Sequence, residues 1–203
     1  MSVLTITPPT DLLPPPYRLT VEQYHAMLRG GILSEDDKVE LLEGVLVQKM
    51  GKNPPHRFAT QQLNRILLPM VPVDRWFVDI QEPVTTADSE PEPDVAVFRG
   101  TPQQFVVAGQ HPGPTDACLV IEVSDSSLRT DRGVKQRIYA RAGIPQYWIV
   151  NIVDRRVEVY TDPSGADPAP AYRQRRDFAV GDEVPVVLDG VEVGRVRVAD
   201  LFA

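Results

Sequence analysis

The sequence predicts an α/β protein of the α+β kind, a central mixed β-sheet flanked by helices with extra hairpins, and three observations predict it. Residues 93–98 and 118–124 are short β-branched runs, apolar on both alternating faces, as strands in the covered middle of a sheet are. The second run is followed by a helical pattern over 130–142 and then by strand character over 147–150, the order of a strand–helix–strand unit. Turn signals at Gly44, Asp154-Arg155 and Asp189-Gly190 join further strand-like runs as hairpins.

In chain order, residues 1–17 are proline-rich and read as a flexible tail, and 18–203 as a single domain. Thr20 and Gln23 have capping-box spacing, Val21, Tyr24 and Leu28 recur at helical intervals, and Gly30-Gly31 ends this first helix. Val39-Glu40-Leu41-Leu42 and Val45-Leu46-Val47 flank Glu43-Gly44 as the first hairpin. Asn53-Pro54-Pro55 reads as a break, after which Phe58, Leu63, Ile66 and Leu67 form the apolar stripe of a helix from His56 to Leu68 or Pro69. Residues 76–80 read as a strand, 88–93 as an acidic loop, and 100–114 as a connection in which 103–107 suggests one helical turn. The helix over 130–142 carries Val134, Ile138 and Tyr139 and stops at Gly143-Ile144-Pro145. A second hairpin follows through 157–160, then a polar loop over 162–171, an edge strand over 172–178, and a last hairpin joining 184–188 to 191–193.

Composition narrows the function classes. Hydrophobic residues at 42% and charged residues at 24% are ordinary for a globular chain. Cys118 is the one cysteine, so an internal disulfide and a thiolate metal site are both excluded. No run reaches the roughly 18 apolar residues of a membrane span, and the start lacks a secretory pattern, so the expected location is cytoplasmic with no membrane partner. A net charge of −7 argues against a large nucleic-acid footprint, so any such function needs a local basic patch or a metal.

The chemistry sits in the two apolar runs, because each is interrupted by one carboxylate: Asp94 and Glu122, 28 residues apart (122 minus 94). A buried ionised carboxylate is costly unless a cation meets it, and two such costs suggest a shared cation. Period-two alternation places Val120, Glu122 and Ser124 on one face and Leu119, Ile121 and Val123 on the other. Side by side, the two carboxylates would hold a hard divalent ion, which polarises a phosphoryl oxygen and lowers the pKa of bound water, the two actions phosphodiester hydrolysis needs. Asp131, Lys135 and Tyr139 fall at i, i+4 and i+8, so the lysine amine projects back toward the strand, where it would stabilise the transition state or orient the attacking water. The plainer reading of that lysine is a surface pair with Asp131.

Second-line candidates are Glu43, as a further carboxylate for the same cation or only a turn residue, and His56, as a phosphate or proton contact or only a local hydrogen-bond partner. His25 and His111 receive no role. Arg129, Arg132, Lys135, Arg137 and Arg141 form one basic cluster and Arg173, Arg175 and Arg176 another; each suits either a phosphate backbone or a solvated face. No glycine-rich phosphate loop, nucleophile elbow or zinc spacing occurs.

Taken in order, Glu43-Gly44, Pro93-Asp94, Ile121-Glu122-Val123-Ser124 with Ser126-Ser127, then Asp131, Lys135, Tyr139-Ala140, Gly143-Ile144, Tyr147-Trp148-Ile149-Val150, Gly181-Asp182 and Leu201-Phe202 resemble the Uma-two family of restriction-endonuclease-like proteins. The resemblance implies a PD-(D/E)xK core and metal-dependent cleavage of DNA, with Mg2+ or Mn2+ as cofactor. It assigns Asp94 and Glu122 as catalytic metal ligands, with the Val123 carbonyl as a further ligand. Ser124 stands where that signature has its lysine, so the resemblance requires Lys135 from the next helix to supply the amine, with Tyr139 on the same helix face. Cutting both strands takes two sites, which implies a homodimer with strand edges near Tyr160 or Tyr172 as contacts. The alternative from another class is a non-catalytic DNA- or protein-binding module on a decayed nuclease scaffold, with Ser124 as the mark of decay. A third reading is a phosphodiesterase acting on RNA or a small nucleotide.

Overall fold

The computed structural model describes residues 14–203. The tail expected over 1–17 therefore falls mostly outside the described residues, and 14–17 are exposed without regular secondary structure. Six strands form the central sheet in the order β3-β4-β5-β6-β7-β8: Trp76–Asp79, Val95–Arg99, Ala117–Ser124, Gln146–Asn151, Arg156–Pro163 and Tyr172–Ala179. Only β5 and β6 run parallel, and every other neighbour pair is antiparallel, so the sheet is mixed. A parallel pair needs a crossover, and here the crossover is helical: α4 (Leu128–Thr130), a π-helical turn (Asp131–Lys135) and α5 (Gln136–Arg141).

Both faces of the sheet are covered, which is why the inner strands read as nearly continuous apolar runs. On one face α2 (Pro54–Met70) contributes Ala59, Leu63 and Leu67 against Val95, Val97, Leu119, Ile121, Trp148 and Val150. The hairpin β9 (Glu183–Leu188) with β10 (Val191–Arg197) and the closing 3-10 turn Val198–Leu201 complete that layer. The opposite face packs Val120, Tyr147, Ile149 and Tyr160 under Ile138, Tyr139 and Ala140 of α5. All eight residues of β5 are buried, so a charged side chain on it must find its partners inside the protein.

Two outlying pieces matter for the site. The hairpin β1 (Val39–Leu42) and β2 (Val45–Gln48) turns at Glu43-Gly44, where Gly44 has φ +75° and a Cβ would lie 2.6 Å from Arg18 Cβ. This hairpin is roofed by α1 (Val21–Arg29), whose Val21 and Tyr24 pack on Leu41, and which starts with the capping box read from Thr20 and Gln23. At the other end, the Asp189 turn of the β9–β10 hairpin accepts from Trp76 Nε1 at 3.0 Å and pairs with Arg99, fastening the hairpin to the sheet edge.

Some expected boundaries move. Asn53-Pro54-Pro55 begins a helix instead of breaking the chain: Asn53 is the N-cap, accepting from His56 N–H at 3.0 Å, and the prolines occupy first-turn positions where an N–H has no partner to lose. The single turn expected within 100–114 is the seven-residue helix α3 (Pro102–Ala108). The helix expected over 130–142 starts earlier and widens at its centre, the Gln136 N–H reaching the Asp131 carbonyl. Tyr160 lies on β7, an interior strand, so it marks no edge; β8, which carries Tyr172, is one edge of the sheet and β3 the other.

Candidate active site

The β4–β5 register pairs Val95 with Ile121 and Ala96 with Val120, and Asp94 is the residue just before β4. Glu122 points to the α5 side of β5 and Asp94 lines the same pocket, the two 4% and 5% exposed. The next residue of that face on β5 is Ser124, and the crossover returns over it. As a result Lys135 Nζ donates to Glu122 Oε1 at 3.0 Å, and the Tyr139 hydroxyl donates to the same oxygen at 2.8 Å. Asp131 lies over Ser124 instead, accepting from its hydroxyl at 2.5 Å and from the Ser127 hydroxyl at 2.6 Å. The Asp131–Lys135 surface pair is thus replaced by two buried groups with separate partners.

Asp94 Oδ2 accepts from the Val123 N–H at 2.9 Å and lies 3.1 Å from His56 Nε2. His56 reaches it because α2 starts at Pro54 and aims its first turn at the strand end; its Nδ1 is buried without a hydrogen-bond partner among the described residues. Val123 meets Asp94 through its amide, and it also lines the pocket. Glu43 is elsewhere. Its carboxylate takes Arg137 at 2.6 Å and Arg141 at 3.1 Å, two guanidinia that pull it away from any shared cation and hold its pKa low.

The carboxylate that does join the group is Glu40 on β1, 3.3 Å from Lys135 Nζ and accepting the Glu92 N–H at 3.2 Å. Its signal was in the sequence: Val39-Glu40-Leu41-Leu42 is one more apolar run interrupted by one acid. Two strand residues before the turn were too few to separate it from a solvated hairpin face. Gln81, whose amide lies 3.4 Å from Asp94 Oδ1, had no such signal.

Glu40, His56, Asp94, Glu122, Asp131 and Lys135 line a pocket of about 120 Å³, the volume of roughly four liquid waters, with Lys49, Lys52, Ser127 and Thr130 also lining it. Its electrostatics are lopsided. Glu40, Asp94, Glu122 and Asp131 share one buried amine. Burial lifts Glu122 well above the usual carboxylate range, Lys135 opposes that rise, and Asp131, Asp94 and Glu40 add to it. Burial likewise raises Asp131 against the pull of Lys135 and the two serine hydroxyls. At Asp94 burial pushes upward too, but the His56 hydrogen bond and charge, the Val123 N–H and Lys135 outweigh it, and the carboxyl is held low. Burial works against the charge of Lys135, yet Glu122, Glu40 and Asp131 keep it protonated. Burial and the Glu122 charge keep the Tyr139 hydroxyl a donor.

Among the described residues, no group of three or more His, Cys, Asp or Glu side chains is arranged as a metal cage. The donor set nevertheless fits magnesium, which takes one or two carboxylates and keeps several waters. Asp94 and Glu122 are hard oxygen donors in a pocket with surplus negative charge. A larger cleft of about 1010 Å³ lies against α1 and α3 and contains His25 and His111. His25, left without a role, is 2.7 Å from the buried Glu90 carboxylate.

Comparison with known proteins agrees with this architecture. A search of curated proteins finds no match. A crystal structure from Anabaena variabilis, described as "a putative nuclease belonging to DUF820", superposes with a TM-score of 0.64 at 16% identity, over 91% of this chain and 97% of that one. At that identity the likeness establishes the restriction-endonuclease-like fold. No helix among the described residues is long and apolar enough to cross a membrane. Residues 21–196 match the Uma2 family model, described as "Putative restriction endonuclease", and the chain therefore belongs to that family.

Proposed function

We propose that the chain is a Mg2+- or Mn2+-dependent endonuclease that hydrolyses DNA phosphodiester bonds in the pocket between α2 and the β5–β6 crossover. One observation carries the reading: two buried carboxylates, Asp94 and Glu122, line one pocket, with a buried lysine amine 3.0 Å from one of them. Asp94 and Glu122 would hold the ion, with the Val123 carbonyl as a backbone ligand. When bound, the ion supplies a Lewis acid for the phosphoryl oxygen and a more acidic water.

The remaining work falls to the chain. Lys135 stands beside Glu122 as a fixed positive charge for the pentavalent phosphate, whose added negative charge it stabilises without needing to move a proton. Tyr139 holds Glu122 by the same oxygen, and His56 and the Val123 N–H hold Asp94, so both carboxylates are oriented before substrate arrives. We place a second copy of the chain on the free edge of β8, giving the two sites that a double-strand cut requires.

Incubation of supercoiled plasmid with Mg2+ or Mn2+ is expected to give nicked and linear DNA. Asp94→Ala and Glu122→Ala are expected to abolish it, and Lys135→Met to slow it by about 100- to 1,000-fold, the usual cost of one transition-state donor. Undiminished cleavage by the carboxylate variants overturns the assignment. A wild type that binds DNA, shows no calorimetric Mn2+ site and leaves the plasmid intact supports the binding-module reading instead.

A further inference from the structure

The floor of the pocket is acidic, so a polyanion must be drawn to it by charges on the rim. Most arginines that the sequence offered for this purpose are occupied. Arg132 pairs with Glu158, Arg137 and Arg141 with Glu43, Arg173 with Asp162 at 3.1 Å and Arg175 with Asp177 at 2.7 Å, while Arg176 lies over the Phe178 ring. A guanidinium held by a carboxylate must give up that partner before it meets a phosphate, and its charge is already compensated at long range.

Lys52, Arg57 and Arg129 differ. All three are exposed, and among the described residues none of their side chains has a carboxylate, hydrogen-bond or ring partner. Lys52 lines the pocket mouth, Arg57 directly follows His56, and Arg129 lies between the lining residues Ser127 and Thr130. Lys52 lies just before α2, Arg57 near its start and Arg129 on α4, and the Asn53 amide donates to Asp125, tying the start of α2 to the segment that leads into α4. The positive end of the 17-residue helix α2 opens at the same place, adding to the field there. Arg29 and Lys38, also without partners, lie instead on the two larger clefts.

We infer that Lys52, Arg57 and Arg129 clamp the phosphate backbone of duplex DNA around the phosphate seated in the pocket. The inference rests on the nuclease reading for its partner, but it needs only binding and no hydrolysis. The clamp is small, with three cations on an otherwise acidic chain, so affinity is modest and sequence-independent through these residues.

Fluorescence anisotropy of a short labelled duplex, with Ca2+ in place of Mg2+, measures it across a KCl series. Neutralising one phosphate-binding cation lowers the slope of log K against log salt by about 0.9. The combined Lys52→Gln, Arg57→Gln and Arg129→Gln variant is expected to lower it by about 2.7, three cations at about 0.9 apiece. An Arg195→Gln, Arg197→Gln variant on β10, whose guanidinia pair with Glu192 and Asp200 away from the pocket, is expected to keep the wild-type slope. An unchanged slope in the triple variant, an equal fall in the β10 variant, or no duplex binding by wild type overturns the clamp. Expected slopes in a protein that never cuts plasmid would remove the hydrolytic reading and leave the clamp standing; cleavage with an unchanged triple-variant slope would remove the clamp alone.

Discussion

Around Lys135 one amine serves Glu122 and Glu40 directly and lies in the field of Asp131. Glu122 is the member whose burial is least compensated, and this has a measurable pH signature. Its folded pKa is raised, so the native state binds the proton more tightly than the unfolded chain, and its contribution to stability falls as pH rises above the ordinary carboxylate range. Glu122→Gln removes that term while Lys135 keeps Glu40. In metal-free buffer the variant is expected to melt a few degrees above wild type at neutral pH, with the gap closing toward pH ~4, where the unfolded carboxylate is also protonated. Thermal melts across that range test it, and a gap that widens in acid would contradict the assignment. At this scale Asp94 and Glu122 were legible because an acid inside an apolar run is conspicuous. Glu40 carried the same mark in a shorter run, while the His56–Asp94 contact joins positions 38 apart (94 minus 56) and leaves no local trace.

The element that decides the site is the crossover between β5 and β6. Helical periodicity located it and placed Lys135 and Tyr139 on its inner face, both of which meet Glu122. The π turn at its centre was not legible, since five-residue hydrogen bonding leaves no distinct apolar spacing. Its anchor is Asp131, held by Ser124 and Ser127 and, through its carbonyl, by the Tyr147 hydroxyl at 3.1 Å. Asp131→Ala strips two hydroxyls of their acceptor and is expected to cost about 1–3 kcal/mol in urea denaturation. Loss of the anchor should also lower nicking activity at saturating DNA while leaving the salt slope of binding intact. A variant with wild-type turnover would show that Lys135 holds its place without the peg.

At the scale of the whole molecule, the order of strands and helices along the chain was legible from alternation and turn chemistry, and the hairpin at Asp189-Gly190 formed where its turn residues put it. Lateral strand order was not, because sheet neighbours are chosen by contacts far apart in sequence; Tyr160 was thus taken for an edge residue although β8 covers β7. The free edge of β8 bears on assembly. Sedimentation at micromolar concentration is expected to give a dimer, and a strictly monomeric protein that nevertheless linearises plasmid in single binding events would exclude the paired-site arrangement. The net charge of −7 disfavours binding away from the pocket rim, so duplex affinity should fall steeply with salt but from a low starting value.

The peg of Ser124 on Asp131 has a consequence for how other chains are recognised. A search that demands lysine two places after the acidic strand residue discards this sequence as broken. A pattern that accepts serine there, with an aspartate seven places and a lysine eleven places beyond it (131 and 135 against 124), would retain it. Chains bearing that trio would form a class whose amine travels on the crossover, and substitution at the strand position alone would then be no sign of a silenced site.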